Sequence, residues 1–213
     1  MDNILKERLK KFKIINKELQ RLYPSIKIVL NYSNIWELLV ATILSAQTTD
    51  KKVNEITFKL FQKYRKIDDY AKAKLSEFEK DIYGVNYHKT KAKAIIENAN
   101  ILKNRFNNKV PKTMVELITL KNIARKSANI VLSIGYNINE GFAVDTHVMR
   151  LTNLYGLTKE KDPKKIEMDL LKIIPENERK EFQLRIVQYG RDYCPAKKHD
   201  HKNCPLILKL NKK

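Results

Sequence analysis

The sequence is poor in the residues that build disulfide scaffolds, tight hairpins and membrane spans. Only two cysteines occur among 213 residues. The chain opens Met1-Asp2-Asn3 and lacks a charged-then-apolar leader, which argues against a secreted disulfide protein. An intracellular setting, cytoplasmic or nucleoid, is expected. Five glycines in the whole chain and no convincing apolar–polar alternation leave little room for a sheet. The best apolar run, Ile35 to Ala46, is about a dozen residues long and contains Glu37, too short to span a membrane. Internal repeats and low-complexity linkers are absent. Acidic residues are also scarce: 24 Asp and Glu stand against 43 Lys and Arg, a formal charge of +19. That charge speaks for a polyanionic partner. It is spread along the chain, as a phosphate-tracking groove requires, whereas a tail would concentrate it.

What is present is helical periodicity. Leu5, Leu9, Phe12, Ile15, Leu19 and Leu22 recur at steps of three and four, predicting an amphipathic helix that stops before Tyr23-Pro24-Ser25. Packing against the body is preferred there over a coiled coil. Ser33 or Asn34 caps a helix over Ile35–Gln47 that is apolar nearly all round, which marks it as the buried centre. Asp50 begins another, with Val53, Ile56, Leu60 and Tyr64 inward and Phe58 and Phe61 beside that stripe. The period continues over Leu75–Ile82, Lys91–Phe106, Thr113–Leu120, Arg125–Tyr136, Thr146–Tyr155, Pro163–Ile174 and Glu178–Tyr193. The predicted class is all-α, and 213 residues can bury a sizeable core in one domain or two small lobes.

Two stretches carry candidate chemistry. In Leu120-Lys121-Asn122-Ile123-Ala124-Arg125-Lys126-Ser127-Ala128, a tight turn feeds a helix whose face is Ala128, Val131, Leu132 and Gly135. Arg125 and Lys126 thus fall in a first turn, beside unpaired N–H groups and the positive end of the dipole. A lysine there holds its proton less tightly, and a neutral amine can attack carbon. The plainer reading makes both residues solvated charges. In Phe142-Ala143-Val144-Asp145-Thr146-His147-Val148, Asp145 precedes an apolar helical face. It is first an N-cap, and capping alone could account for it. It could equally sit across a cleft from Lys126 as its electrostatic partner.

These segments resemble the helix–hairpin–helix glycosylases of base-excision repair, specifically the endonuclease III family. That family's hairpin reads Leu-Pro-Gly-Val-Gly-Arg-Lys-Thr-Ala, followed about twenty residues on by Val-Asp-Thr-His. Here Leu120 to Ala128 matches the hairpin, and Val144-Asp145-Thr146-His147 follows, with 19 positions from Lys126 to Asp145. Leu44-Ser45-Ala46-Gln47-Thr48-Thr49-Asp50 is a third match. The related adenine glycosylases carry Ser where Lys126 stands. The similarity runs from roughly Ile35 to Cys204.

The resemblance implies two helical lobes. Residues 28–138 would form a six-helix barrel ending in the hairpin, and residues 1–27 with 139–213 the second lobe. DNA would lie in the cleft between them. It further implies a monomeric bifunctional DNA glycosylase and AP (apurinic/apyrimidinic) lyase acting on damaged double-stranded DNA. Lys126 would attack the sugar C1′ and displace an oxidised pyrimidine as a Schiff base forms, Asp145 would stabilise the positive charge, and β-elimination would cut the strand. Gln47, beside Ser45, would fill the gap left by the expelled base. Ser45, Lys121, Asn122, Ile123, Ala124, Arg125 and His147 would complete the DNA contacts. Removal of mismatched uracil or thymine and non-catalytic binding of damaged DNA stand as alternatives; the pairing of Lys126 with Asp145 favours catalysis over binding.

The chain also departs from the family pattern. Asn122 and Ala124 replace the hairpin glycines, and Lys121 replaces proline. Asn tolerates a left-handed backbone, but Ala in that region costs on the order of 1–2 kcal/mol. Asn86, in Asn86-Tyr87-His88-Lys89-Thr90-Lys91, stands where a second DNA-facing turn normally opens with Gly. The family's iron–sulfur cluster takes four cysteines separated by six, two and five residues. Cys194 and Cys204 match the first and third, His201 stands at the second and Leu210 at the fourth. Four thiolates are the usual holder, so no cluster is expected and no metal is assigned to the candidate site. Cys194, His199, His201 and Cys204 have zinc-type ligand atoms, but the spacing is cramped and unlike common fingers. A degenerate loop presenting Lys197, Lys198 and Lys202 to phosphate is the preferred reading.

Overall fold

The computed structural model describes residues 3–211. Met1 and Asp2, in which the reading above looked for a leader, and Lys212 and Lys213 lie outside the described residues. Among those described there are twelve α-helices, one π turn, one 3-10 turn and no strand. The all-α expectation holds. No described helix is long and apolar enough to cross a membrane. The chain divides into two compact units, Ile28–Ile138 and Met1–Lys27 with Asn139–Lys213.

The unit Ile28–Ile138 is built on α2 (Ile35–Leu44), whose residues from Trp36 to Leu44 are all buried. Asn34 caps it, its side chain accepting from the Glu37 N–H at 3.0 Å. Around it stand α3 (Asp50–Lys63), α4 (Ile67–Ala71), α5 (Leu75–Asp81), α6 (His88–Phe106), α7 (Met114–Leu117) and α8 (Arg125–Ile130). Val53, Ile56, Leu60 and Tyr64 are buried as their spacing predicts, whereas Phe58 is 69% exposed. Trp36, Tyr64, Tyr70 and Phe78 form an aromatic cluster with centroids 5.1–5.7 Å apart, edge-on except where Tyr64 tilts against Tyr70.

Several boundaries differ from the sequence reading. The helix predicted over Ile35–Gln47 ends at Leu44, because the chain turns left-handed at Gln47 (φ 55°). α6 starts at His88, three residues before Lys91. α7 spans only Met114–Leu117, with Thr113 as its cap. The helix predicted over Arg125–Tyr136 is α-helical to Ile130 and widens into a π turn over Val131–Gly135. A Cβ on Gly135 would stand 3.2 Å from Leu38 Cδ2 and 3.3 Å from Ile35 Cγ2, so the small residue lets this turn press against α2. The five residues of α4 are too few to display a period.

The second unit joins the two ends of the chain. α1 (Asn3–Leu22) buries Phe12, Ile15 and Leu19 among α9 (Thr146–Leu154), α10 (Pro163–Leu171), α11 (Glu176–Asp192) and α12 (Pro205–Asn211). Phe12 meets Phe182 edge-on at 5.1 Å. Polar links reinforce the packing: Asn16 donates to Glu178, and buried Glu18 pairs with Arg21 at 2.7 Å and Lys209 at 3.7 Å.

Candidate active site and nucleic-acid interface

In the unit Ile28–Ile138, loops from three parts of the sequence meet around one open recess of about 430 Å³, lined among others by Ala46, Tyr87, Lys91, Asn122, Ile123 and Ala124. Each loop contains one residue other than glycine in the left-handed region: Gln47 (φ 55°), Tyr87 (φ 58°) and Asn122 (φ 58°). Asn adopts this region readily; Gln and Tyr do so only where surrounding bonds hold them.

Those bonds are present. The Lys91 side chain, 3% exposed, donates to the Leu44 carbonyl at 2.8 Å, the Ala46 carbonyl at 2.6 Å and the Thr48 hydroxyl at 3.3 Å. It closes the C-terminal end of α2, where carbonyls lack helical partners and a cation suits the dipole. Burial pushes its pKa down to about 8. Asn86 donates through its side chain to the Gln47 carbonyl and through its backbone to Thr48 Oγ1 at 3.1 Å. Asn86 thus fastens one loop to another, and the left-handed position falls on its neighbour Tyr87. Gln47 itself is exposed, and Ser45 is half-buried with its hydroxyl donating to the Thr42 carbonyl at 2.9 Å.

The hairpin is clamped by Asn98, which is fully buried in α6. Its amide donates to the Lys121 carbonyl at 2.9 Å and its oxygen accepts from the Lys121 N–H at 2.7 Å. Ile123 is the buried anchor, while Lys121, Asn122 and Ala124 are exposed. Asn122 takes the left-handed position alone. Ala124 is the N-cap of α8 with φ −94° and ψ 171°, ordinary extended backbone, so the strain considered for it does not arise. Arg125 and Lys126 occupy the first turn of α8, both half-buried.

Asp145 and His147 lie in the other unit. Asp145 is the N-cap of α9, its carboxylate accepting from the Val148 N–H at 2.8 Å. The His147 ring lies against Gly190 of α11, and its Nδ1 has no hydrogen-bond partner among the described residues. Burial lowers its pKa, and Arg150 and Arg191 push the same way against the opposing pull of Asp145.

Lys91 and Asn98 are functional positions that the motifs in the sequence do not mark. The signal was there: both fall on the buried stripe of α6 with Ala94, Ile95 and Leu102. A polar residue on a core stripe needs bonding partners.

The four-thiolate cluster does not fit the C-terminal segment. Only Cys194 and Cys204 offer sulfur, His201 stands at the second position, and Leu210 at the fourth packs against the apolar core.

The comparisons with known proteins agree with this geometry. The profile of the HhH-GPD superfamily base excision DNA repair proteins matches residues 40–176. Endonuclease III of Synechocystis sp. is 43% identical over 84% of this chain and 82% of its own length. That of Bacillus subtilis is 34% identical, with 87% and 85% covered. Two solved structures, a non-covalent endonuclease III–DNA complex and a trapped endonuclease III–DNA covalent intermediate, superpose with TM-score 0.89 at 34% identity over 94% of each chain. A thermostable thymine-DNA glycosylase, 20% identical with TM-score 0.81 over 92% of this chain and 94% of its own, shares the fold. The chain belongs to the HhH-GPD superfamily of base-excision DNA repair proteins and, within it, to the endonuclease III family.

Proposed function

We propose that this protein is a bifunctional DNA glycosylase and AP lyase that removes oxidised pyrimidines from duplex DNA. The observation that carries the reading is Lys126 in the first turn of α8, behind the hairpin clamped by Asn98. A relative has been captured as a covalent intermediate with DNA. Such an adduct requires a nucleophile, and a neutral lysine amine supplies one.

The exposed hairpin and the Gln47 loop engage the duplex, and the damaged nucleotide is extruded. The Lys126 amine attacks the sugar C1′; the glycosidic bond breaks and the base leaves with its electron pair. Loss of the amine protons and opening of the ring yield a Schiff base. The Asp145 carboxylate stabilises the positive charge that develops. Removal of a C2′ proton then expels the 3′ phosphate, cutting the strand by β-elimination, and water releases Lys126.

Incubation with thymine-glycol and abasic duplexes, with and without borohydride, tests this. The wild-type protein is expected to be trapped on DNA and Lys126→Gln is not. Persistent trapping of Lys126→Gln removes that residue from its role. Binding of abasic duplex without cutting makes the protein a damage binder, and activity confined to mismatched uracil or thymine changes the substrate.

A further inference from the structure

The loop between α11 and α12 gathers Cys194, His199, His201 and Cys204 so that one ligand atom from each lies within 4.8 Å of all the others. Cys194 Sγ is 3.6 Å from His201 Nδ1, and Cys204 Sγ is 3.4 Å from His199 Nε2. A tetrahedral zinc ion with Zn–S near 2.3 Å and Zn–N near 2.0–2.1 Å has a sulfur-to-nitrogen edge of about 3.5 Å. Both contacts lie at that edge.

The hydrogen bonding around the loop orients one of the imidazoles for ligation. His199 Nδ1 lies 2.8 Å from the Lys197 carbonyl. A carbonyl only accepts, so Nδ1 carries the proton and Nε2 turns its lone pair toward Cys204. This is the usual arrangement of a metal-bound histidine, whose second nitrogen donates to a backbone oxygen. Both sulfurs are buried and neither is in a disulfide. The Arg150 guanidinium sits 3.5 Å from Cys194 Sγ and 2.6 Å from the Cys194 carbonyl, which fixes the position of that sulfur.

We propose that Cys194, His199, His201 and Cys204 form a structural zinc site in place of the iron–sulfur cluster. The spacing that reads as cramped along the chain is relieved by folding. The 3-10 turn His201–Asn203 carries the chain back, so that His201 pairs with Cys194, seven residues before it, and leaves the nearer Cys204 to His199. A two-iron cluster with mixed ligands puts both histidines on one iron and both cysteines on the other, whereas here each sulfur has a nitrogen beside it. Four protein ligands leave no open position, so the ion closes a loop and performs no chemistry. It ties the end of α11 to the start of α12.

Metal analysis of the untagged full-length protein tests this without reference to its activity. About one zinc per chain is expected, with no iron or acid-labile sulfide. Cobalt added to chelator-stripped protein should give the visible bands of a tetrahedral thiolate site. His201 is exposed, so His201→Asn should fold and bind zinc at least about a hundred-fold more weakly, since losing a ligand exceeds losing an outer-shell partner. His199→Gln should do the same by a separate route. Protein that binds neither zinc nor cobalt at micromolar concentrations, carries iron with sulfide, or keeps wild-type zinc affinity in both variants overturns the proposal.

Discussion

Asp145 caps α9, and that bond alone would keep an acid at this position, so structural and chemical roles have to be separated. Asparagine caps as well as aspartate but carries no charge, while alanine does neither. Asp145→Asn is expected to unfold with wild-type stability yet lose about 10²-fold or more in glycosylase rate. Asp145→Ala should lose the activity and also about 1 kcal/mol, read from urea unfolding. Full activity in Asp145→Asn would leave only the cap. Lys91 poses a different question, because its three acceptors fix the loop that carries Gln47. Lys91→Met leaves those carbonyls unpaired and should cost about 1–3 kcal/mol. The pKa of Lys91 is depressed on folding, from 10.5 to about 8. Between those values the unfolded chain binds more protons than the folded one, so this residue's contribution to stability rises with pH across that window. The stability difference between wild type and Lys91→Met should therefore widen from the lower end to the upper, and a flat difference would refute the burial argument.

At the scale of elements, the glycine in α11 is set by a neighbour. A Cβ on Gly190 would stand 2.6 Å from His147 Nδ1 and 3.1 Å from Leu151 Cδ1, so α9 and α11 pack with no room for a methyl. Gly190→Ala gains roughly 1 kcal/mol of helix propensity but meets overpacking of about 1–3 kcal/mol. A lower unfolding midpoint is expected, and it should recover when His147→Ala is added, a non-additivity that a double-mutant cycle reads. The hairpin is organised differently. Ile123 anchors it, Asn98 holds Lys121 by both backbone groups, and Asn122 makes the left-handed turn. Asparagine thereby does what glycine does in the family pattern, while Ala124 is spared by an extended backbone.

The whole molecule carries +19, and its affinity for duplex DNA is expected to fall steeply with salt. Each phosphate contact releases counterions and adds about −0.9 to the slope of log affinity against log salt. Lys121→Ala, at an exposed hairpin position, should weaken binding to all sequences alike and reduce that slope by about one. An unchanged slope would take Lys121 off the phosphate backbone. The division into units has its own physical cause. α1 cannot bury Phe12, Ile15 and Leu19 by itself, and finds Phe182 and Ile186 of α11 far along the chain.

Periodicity and caps were legible in the sequence because they depend on neighbours three or four residues away. The buried α2, the stop of α1 before Pro24, the cap at Asp145 and the left-handed Asn122 all follow from such local rules. The matched motifs in addition carried the family. Contacts between distant segments were decided only by the tertiary structure: the Lys91 ammonium on the end of α2, the grip of Asn98 on the hairpin, the ring of His147 against Gly190 and the convergence of the Cys194–Cys204 loop. Each depends on how segments separated in the chain pack and which polar groups they leave facing one another, and neither a helical period nor a spacing between cysteines records that.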